Sequence, residues 1–217
     1  MFDFDGTLAR TMEDNFEAWR STLREYGLEL KPEDYYPLEG LNVYELPDKL
    51  FAKFHQKPPS PKIVAQKKES YYLKNHRFSF YPGVEELIDF LRSRKVPLAI
   101  VTTGLRTRLD HSVPQGFLEK FNCVVTGEDT TEGKPSPAPY LKGAERLGVE
   151  SQDCIVVENA PLGIESAKRA GAYCIAVTNT VGREYLGEAD EIVENLQDLL
   201  KISKVKELLG KAVRSYP

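Results

Sequence analysis

The sequence predicts an α/β protein: a doubly wound parallel sheet with a small all-helical module inserted near its start. Two observations predict it. In the second half, short apolar β-branched runs alternate with helical periods, as buried parallel strands joined by crossover helices do. From about residue 11 to 80 that alternation is missing, and helical periods, prolines and aromatic pairs take its place. The boundaries that follow are 1–10 and 81–217 for the α/β core and 11–80 for the helical module.

Taken in order, MFDFDGTL is a short apolar strand that ends in Asp3 and Asp5, with Gly6 free to turn the backbone sharply. Only two residues precede Asp3, which is short for a central strand and leaves open whether residues are missing at this end. Thr11 followed by Asp14 is a helix start, and Phe16, Trp19, Leu23 and Tyr26 share one face before Gly27 closes it. Pro58, Pro59 and Pro61 punctuate the module. Strands are then expected at 97–102 (PLAIVT), 123–126 (CVVT), 154–158 (CIVVE) and 173–178 (YCIAVT), and helices at 84–93, 136–147 and 162–170. The stretch 196–213 sets Lys201, Lys204, Lys206, Lys211 and Arg214 around Leu200, Val205, Leu208 and Leu209, and is expected to pack on the core as an amphipathic helix or pair.

Composition narrows the function classes. Twenty-nine basic against 33 acidic residues leave a net charge of −4, which gives no electrostatic case for nucleic acid or an anionic membrane. Cys123, Cys154 and Cys174 are odd in number and widely spaced, so neither a disulfide framework nor a zinc site is indicated. With no long apolar run and two acids at the start of the chain, the expected setting is the cytoplasm. Oligomeric state carries no readable signal, since Tyr35, Tyr36, Tyr71 and Tyr72 suit a cap lining or a partner surface alike.

Two acids two residues apart at a strand end can converge on one cation, and the following Gly-Thr-Leu makes DFDGTL more specific than paired acids alone. The phrase resembles the first signature of the haloacid dehalogenase superfamily of aspartate-nucleophile phosphotransferases. The remaining signatures are found in order. PLAIVTTG supplies Thr102 with Thr103 and Gly104, GKPSP supplies Lys134, and CIVVENAPLG supplies Glu158 and Asn159. Each falls at the carboxyl end of an expected strand, where open α/β sheets bind ligands.

The resemblance implies a division of labour. Asp3 would be the nucleophile, and Asp5 would protonate the leaving oxygen and then deprotonate the attacking water. Thr102, with the amides near Thr103 and Gly104, would hold the transferring group, and Lys134 would offset the charge. Mg²⁺ is the implied cofactor, with Asp3, Asp5, Asn159 and Glu158 as its candidate ligands. Many relatives carry Asp where this chain has Asn159, so weaker Mg²⁺ binding is expected unless Glu158 compensates.

The inserted module lies where the subgroup resembling β-phosphoglucomutase carries a helical cap, and Glu39 and Gly40 resemble that subgroup's substrate-facing cap loop. Asn15 and Val43 stand where the mutase pattern has His and Arg, so hydrolysis of a small phosphorylated metabolite is expected before phosphomutase activity. An acid beside the cap-loop glycine also resembles relatives that hydrolyse inorganic pyrophosphate. A non-catalytic binding protein is the remaining alternative, favoured only by Asn159 and the basic tail. Asp5 disfavours dehalogenase chemistry, and His55, His76 and His111 match no signature position.

Overall fold

The computed structural model describes the backbone of residues 1–215 and side chains through Gly210. Five short strands, β1 Ala99–Val101, β2 Cys123–Val125, β3 Ile155–Glu158, β4 Tyr173–Val177 and β5 Glu191–Val193, all pair in parallel. The first residues of the chain join them into one sheet. Phe2 bridges Ile100 of β1 on one side and Val157 of β3 on the other. Its amide donates to the Ala99 carbonyl at 2.8 Å, and the Asp3 amide donates to the Val157 carbonyl at 3.0 Å. The order across the sheet is therefore β2, β1, residues 1–3, β3, β4, β5, with the acids at the centre.

Alternation along the strands splits the core in two. Phe2, Leu98, Ile100, Val157 and Ile175 face α5 (Val84–Ser93) and the C-terminal segment. Met1, Ala99, Val101, Val156, Cys174 and Ala176 face α7 (Ala138–Leu147) and α8 (Pro161–Arg169). Helices on both faces of a parallel sheet confirm the doubly wound class. The four expected strands are present, β1 three residues shorter than expected and the others one residue shorter each, while β5 is not anticipated: its half-exposed Glu-Ile-Val carries no apolar run.

Residues 12–75 contain four helices, α1 Met12–Arg24, α2 Pro32–Tyr35, α3 Leu46–Ala52 and α4 Pro61–Asn75. They enclose a cluster of their own, in which Phe16, Trp19 and Leu23 meet Leu50, Phe51, Val64 and Ala65. Leu105, just before α6 (Arg106–Ser112) of the core, joins that cluster, so the module sits down on the sheet's carboxyl edge. Tyr35 and Tyr72 are buried within it rather than displayed. Tyr26 lies beyond the end of α1 and packs edge-on against Phe51, with ring centroids 5.3 Å apart.

The tail forms a 3₁₀ turn over Leu196–Lys201 and a helix, α9, Ser203–Ser215. Leu196, Leu199 and Val205 are buried against the core, as expected of an amphipathic segment. The side chains of Lys211 and Arg214 lie outside the described residues. Among the described residues no helix is long and apolar enough to cross a membrane.

Candidate active site

The carboxyl ends of the strands bring six sequence-predicted residues together: Asp3, Asp5, Thr102, Lys134, Glu158 and Asn159, all buried. Asp3 is held from below by the ladder bonds on either side of Phe2. Its Oδ1 accepts from Lys134 Nζ at 2.6 Å, and the same ammonium donates to Glu158 Oε1 at 2.5 Å. Glu158 Oε1 also accepts from the Tyr140 hydroxyl at 2.7 Å, and Oε2 accepts from the amides of Asn159 and Ala160 at 2.9 and 3.2 Å. Both Glu158 oxygens are thus engaged in orienting Lys134 and the turn into α8. The structure puts Glu158 beside the lysine, away from the oxygens that converge near Asn159.

Those oxygens belong to Asp3, Asp5 and Asn159. The Asn159 carboxamide is compatible with two orientations. In one, Oδ1 accepts from Thr7 Oγ1 at 2.9 Å and Nδ2 donates to Thr180 Oγ1 at 2.9 Å. Turned over, the nitrogen donates to Asp3 Oδ2 at 3.2 Å and to the Asp5 main-chain carbonyl at 3.3 Å. The inner position of this amide is therefore ringed by acceptors that need a positive partner. With the oxygen inward, a carboxylate, a carbonyl and a carboxamide converge as a hard divalent cation requires. Among the described residues no three His, Cys, Asp or Glu side chains form such a group. Gly6, at φ +84°, leaves room for this amide, since a Cβ there would lie 2.2 Å from Asn159 Nδ2.

Burial governs the electrostatics at this point. Burial pushes the Asp3 carboxyl well above its ordinary range; Lys134 opposes that rise and Glu158 adds to it. A divalent charge on Oδ2 would restore the carboxylate. An added negative charge at position 159 has a signed outcome: Asn159→Asp should tighten Mg²⁺ binding by about one order of magnitude. The metal-free variant should melt below the wild type, because the new carboxylate faces Asp3 without a counter-ion. Calorimetric titration and melting curves with and without Mg²⁺ check both signs.

Asp5 lies in a different environment. Its Oδ1 accepts from Thr11 Oγ1 at 2.6 Å and Asn15 Nδ2 at 3.2 Å, and its Oδ2 accepts from Arg108 Nη2 at 2.6 Å and Thr102 Oγ1 at 3.3 Å. Burial alone would raise this carboxyl, but the charges of Arg108 and Lys68 with the Thr11 and Asn15 hydrogen bonds outweigh it and hold Asp5 below its ordinary value. Thr102 Oγ1 also accepts from the Gly104 amide at 3.1 Å, so the turn after β1 is tied to the threonine.

Sequence reasoning missed Arg108, Lys68, Glu69 and Tyr140. Arg108 follows Arg106 by two residues, and nothing local distinguishes the buried arginine from the exposed one. Lys68 follows Lys67 in the same way, with only helical phase to separate them. Asn15 was noted only as a departure from the mutase pattern, whereas its amide bonds Asp5 directly.

The helical module reaches the site through its 39–40 loop. Gly40 lies against Lys134, with 3.5 Å from an ideal Cβ to Lys134 Cδ. Glu39 Oε2 accepts from the Tyr35 hydroxyl at 2.8 Å rather than joining the Asp3, Asp5 and Asn159 oxygens. Burial, then the charge of Asp5, pushes Glu39 from an ordinary 4.5 up to about 7. The raised value means the folded state favours the protonated form. Its stability contribution is complete below pH 4.5 and is lost as pH rises toward 7. Glu39→Gln, which imitates the neutral acid, should leave the melting temperature unchanged at pH 4 and raise it at pH 8.

Comparison with known proteins places most of the chain among relatives of one family. The family model for haloacid dehalogenase-like hydrolases matches residues 1–177. Validoxylamine A 7'-phosphate phosphatase of Streptomyces hygroscopicus subsp. limoneus is 30% identical over 92% of this chain and 94% of its own. Hexitol phosphatase A of Escherichia coli (strain K12) is 29% identical over 92% of this chain and 91% of its own. A solved structure titled putative beta-phosphoglucomutase from Bacteroides vulgatus is 28% identical, covers 99% of this chain and 89% of its own, and superposes with a TM-score of 0.81. With four ordered signatures meeting at one sheet edge and a family model spanning most of its length, the chain belongs to the haloacid dehalogenase-like hydrolases.

Proposed function

We propose that the protein is a Mg²⁺-dependent phosphohydrolase that cleaves a small phosphate ester, such as a sugar phosphate, through a phosphorylated Asp3. The observation that carries this reading is the buried convergence of Asp3, Asp5 and Lys134 at the carboxyl ends of the central strands, 2.6 Å separating Lys134 Nζ from Asp3 Oδ1. Asp3 attacks phosphorus as the bond to the leaving oxygen breaks, and Asp5, ionised while its present donors hold it, takes up a proton once they release it and delivers that proton to the leaving oxygen. Asp5 then takes a proton from water as the water attacks phosphorus, releasing Asp3 and inorganic phosphate. Thr102 and the amides of Thr103 and Gly104 hold the transferring group, and Lys134 offsets the gathered negative charge. Mg²⁺ would be held by Asp3 Oδ2, the Asp5 carbonyl and Asn159 Oδ1, and would supply charge neutralisation at the phosphoryl oxygens.

Residues 11–80 act in this reading as a cap that covers the cleft and excludes water, with Glu39 and Gly40 on its substrate-facing loop. Val43 is 6% exposed inside the module's own apolar cluster, so this position offers no charge to a second phosphate, which supports hydrolysis over phosphomutase activity. Three free thiols fit a cytoplasmic setting.

Phosphate release measured across sugar phosphates, other small monoesters and pyrophosphate, with and without Mg²⁺, tests the proposal. Phosphorus NMR on β-glucose 1-phosphate with an activating bisphosphate separates mutase from hydrolase. Metal-dependent release from at least one monoester is expected. Release from pyrophosphate alone would reassign the substrate, and no turnover of any compound at any Mg²⁺ level would remove the enzymatic reading.

A further inference from the structure

Asp5 has no free acceptor position in this structure. A carboxylate offers about four lone-pair sites, and Thr11, Asn15, Thr102 and Arg108 fill them. A leaving oxygen cannot reach Asp5 until one donor withdraws. Arg108 also fills the space above the turn after β1: a Cβ on Gly104 would stand 1.9 Å from Nη2, so the guanidinium uses the room that glycine leaves. What remains between module and core beside Asp5 is about 30 Å³, roughly the room for one water.

On the other side of the guanidinium is an acceptor without a donor. Glu69 of α4 is 6% exposed, and its Oε1 accepts from Lys68 Nζ at 2.9 Å. Its Oε2 is buried and has no hydrogen-bond partner, and it lies 3.9 Å from Arg108 Nε. Arg108 Nη1 is anchored on Asn15 Oδ1 at 2.6 Å, which Lys68 Nζ shares at 2.6 Å. A static cluster of buried charges is expected to satisfy each carboxylate oxygen, because an orphaned one keeps the full cost of leaving water. Here Arg108 stands between one saturated carboxylate and one with an open position.

We infer that Arg108 is a positioning residue which bolts Asp5 while the cap is closed without substrate, and which is handed to Glu69 Oε2 when a phosphoryl group occupies the site beside Asp3. The transfer opens Asp5 Oδ2 to the leaving oxygen and clears the ground beside Gly104. It breaks one charge-assisted hydrogen bond and forms another of the same kind, so the two positions are close in energy and the ligand decides between them. Because α6 carries Arg108 and α1 and α4 carry Asn15 and Glu69, the handover also couples the general acid to the seating of the cap. The inference rests on the proposed roles of Asp3 and Asp5.

The Arg108 Nε–Hε group reports the handover directly. In ¹⁵N-labelled protein, with the signal assigned through Arg108→Lys, adding Mg²⁺ and beryllofluoride should move that resonance downfield and slow its exchange with water by about tenfold. In Glu69→Gln the same addition should leave it in place. Fluorine resonances of the bound beryllofluoride report on Asp3 independently. If they fail to appear, the phosphoryl-transfer reading fails; if they appear while the Arg108 signal stays where it was, the handover is overturned. A double-mutant cycle gives the kinetic counterpart. Glu69→Gln should lower kcat about tenfold without raising KM in the wild type, yet change it less than twofold once Arg108→Gln has removed the bolt. Equal losses in both backgrounds would mean that Glu69 meets the substrate itself and that Arg108 is not its partner.

Discussion

Asp3→Asn should lower metal-dependent phosphate release by at least about 10⁴-fold, the scale on which enzymes lose a covalent nucleophile. The carboxamide keeps the shape of the aspartate and its place in the sheet, where the Asp3 amide donates to the Val157 carbonyl at 3.0 Å. The stability change should be modest, about 1–2 kcal/mol, for two reasons. Lys134 retains Glu158 Oε1 at 2.5 Å, so its charge is not orphaned. Burial already pushes Asp3 toward its neutral form, which the amide imitates. Circular dichroism and a melting curve should therefore look close to wild type while turnover disappears. Retained turnover in a folded Asp3→Asn protein would remove this residue from the chemistry and with it the proposed covalent intermediate.

The legibility of this molecule divides along a physical line. Strands 99–101, 155–158 and 173–177 were readable because a strand buried on both faces must be apolar throughout, and the half-buried edge strand 123–125 was readable because Cys-Val-Val is still an apolar run. The signature residues were readable because chemistry fixes residue type and order at strand ends. Arg108, Lys68 and Glu69 were not, because what makes them part of the site is burial at a seam between two units, and a charged residue beside another charged residue gives no local sign of it. Glu158 shows the intermediate case. Its position was legible, yet its engagement with Lys134 and Tyr140 instead of the oxygen cluster depends on the reach of a lysine 24 residues away. The strand at 191–193 was lost for the opposite reason, since an edge position needs no apolar run.

Lys134→Met should do more damage to the fold than any other single change in the site. Lys134 is 1% exposed, and among the described residues its ammonium is the one cation shared by Asp3 and Glu158. Methionine fills similar space, so the loss is electrostatic: two carboxylates are left facing across a buried gap, and removing one partner of such a group costs about 3–5 kcal/mol. The cost depends on pH in a predictable direction. Without Lys134 the burial that raises Asp3 is unopposed, so at pH 5 this acid can take a proton and relieve the repulsion, whereas at pH 8 the solution presses it toward a buried charge with no counter-ion. The melting temperature of Lys134→Met should therefore fall further below wild type at pH 8 than at pH 5. Turnover should drop by about 10³-fold or more at either pH, since an oxyanion-site donor alone accounts for that scale. Adding Glu158→Gln separates the two roles. The double variant removes one of the opposed charges; its carboxamide oxygen can still accept from the Asn159 and Ala160 amides while its nitrogen donates to the Tyr140 hydroxyl oxygen, so part of the lost stability should return. Turnover should not return with it, because no cation faces the phosphoryl group. If activity recovered alongside stability, Lys134 would be a structural counter-ion for Glu158 and nothing more, and the charge offset assigned to it would have to come from elsewhere in the site.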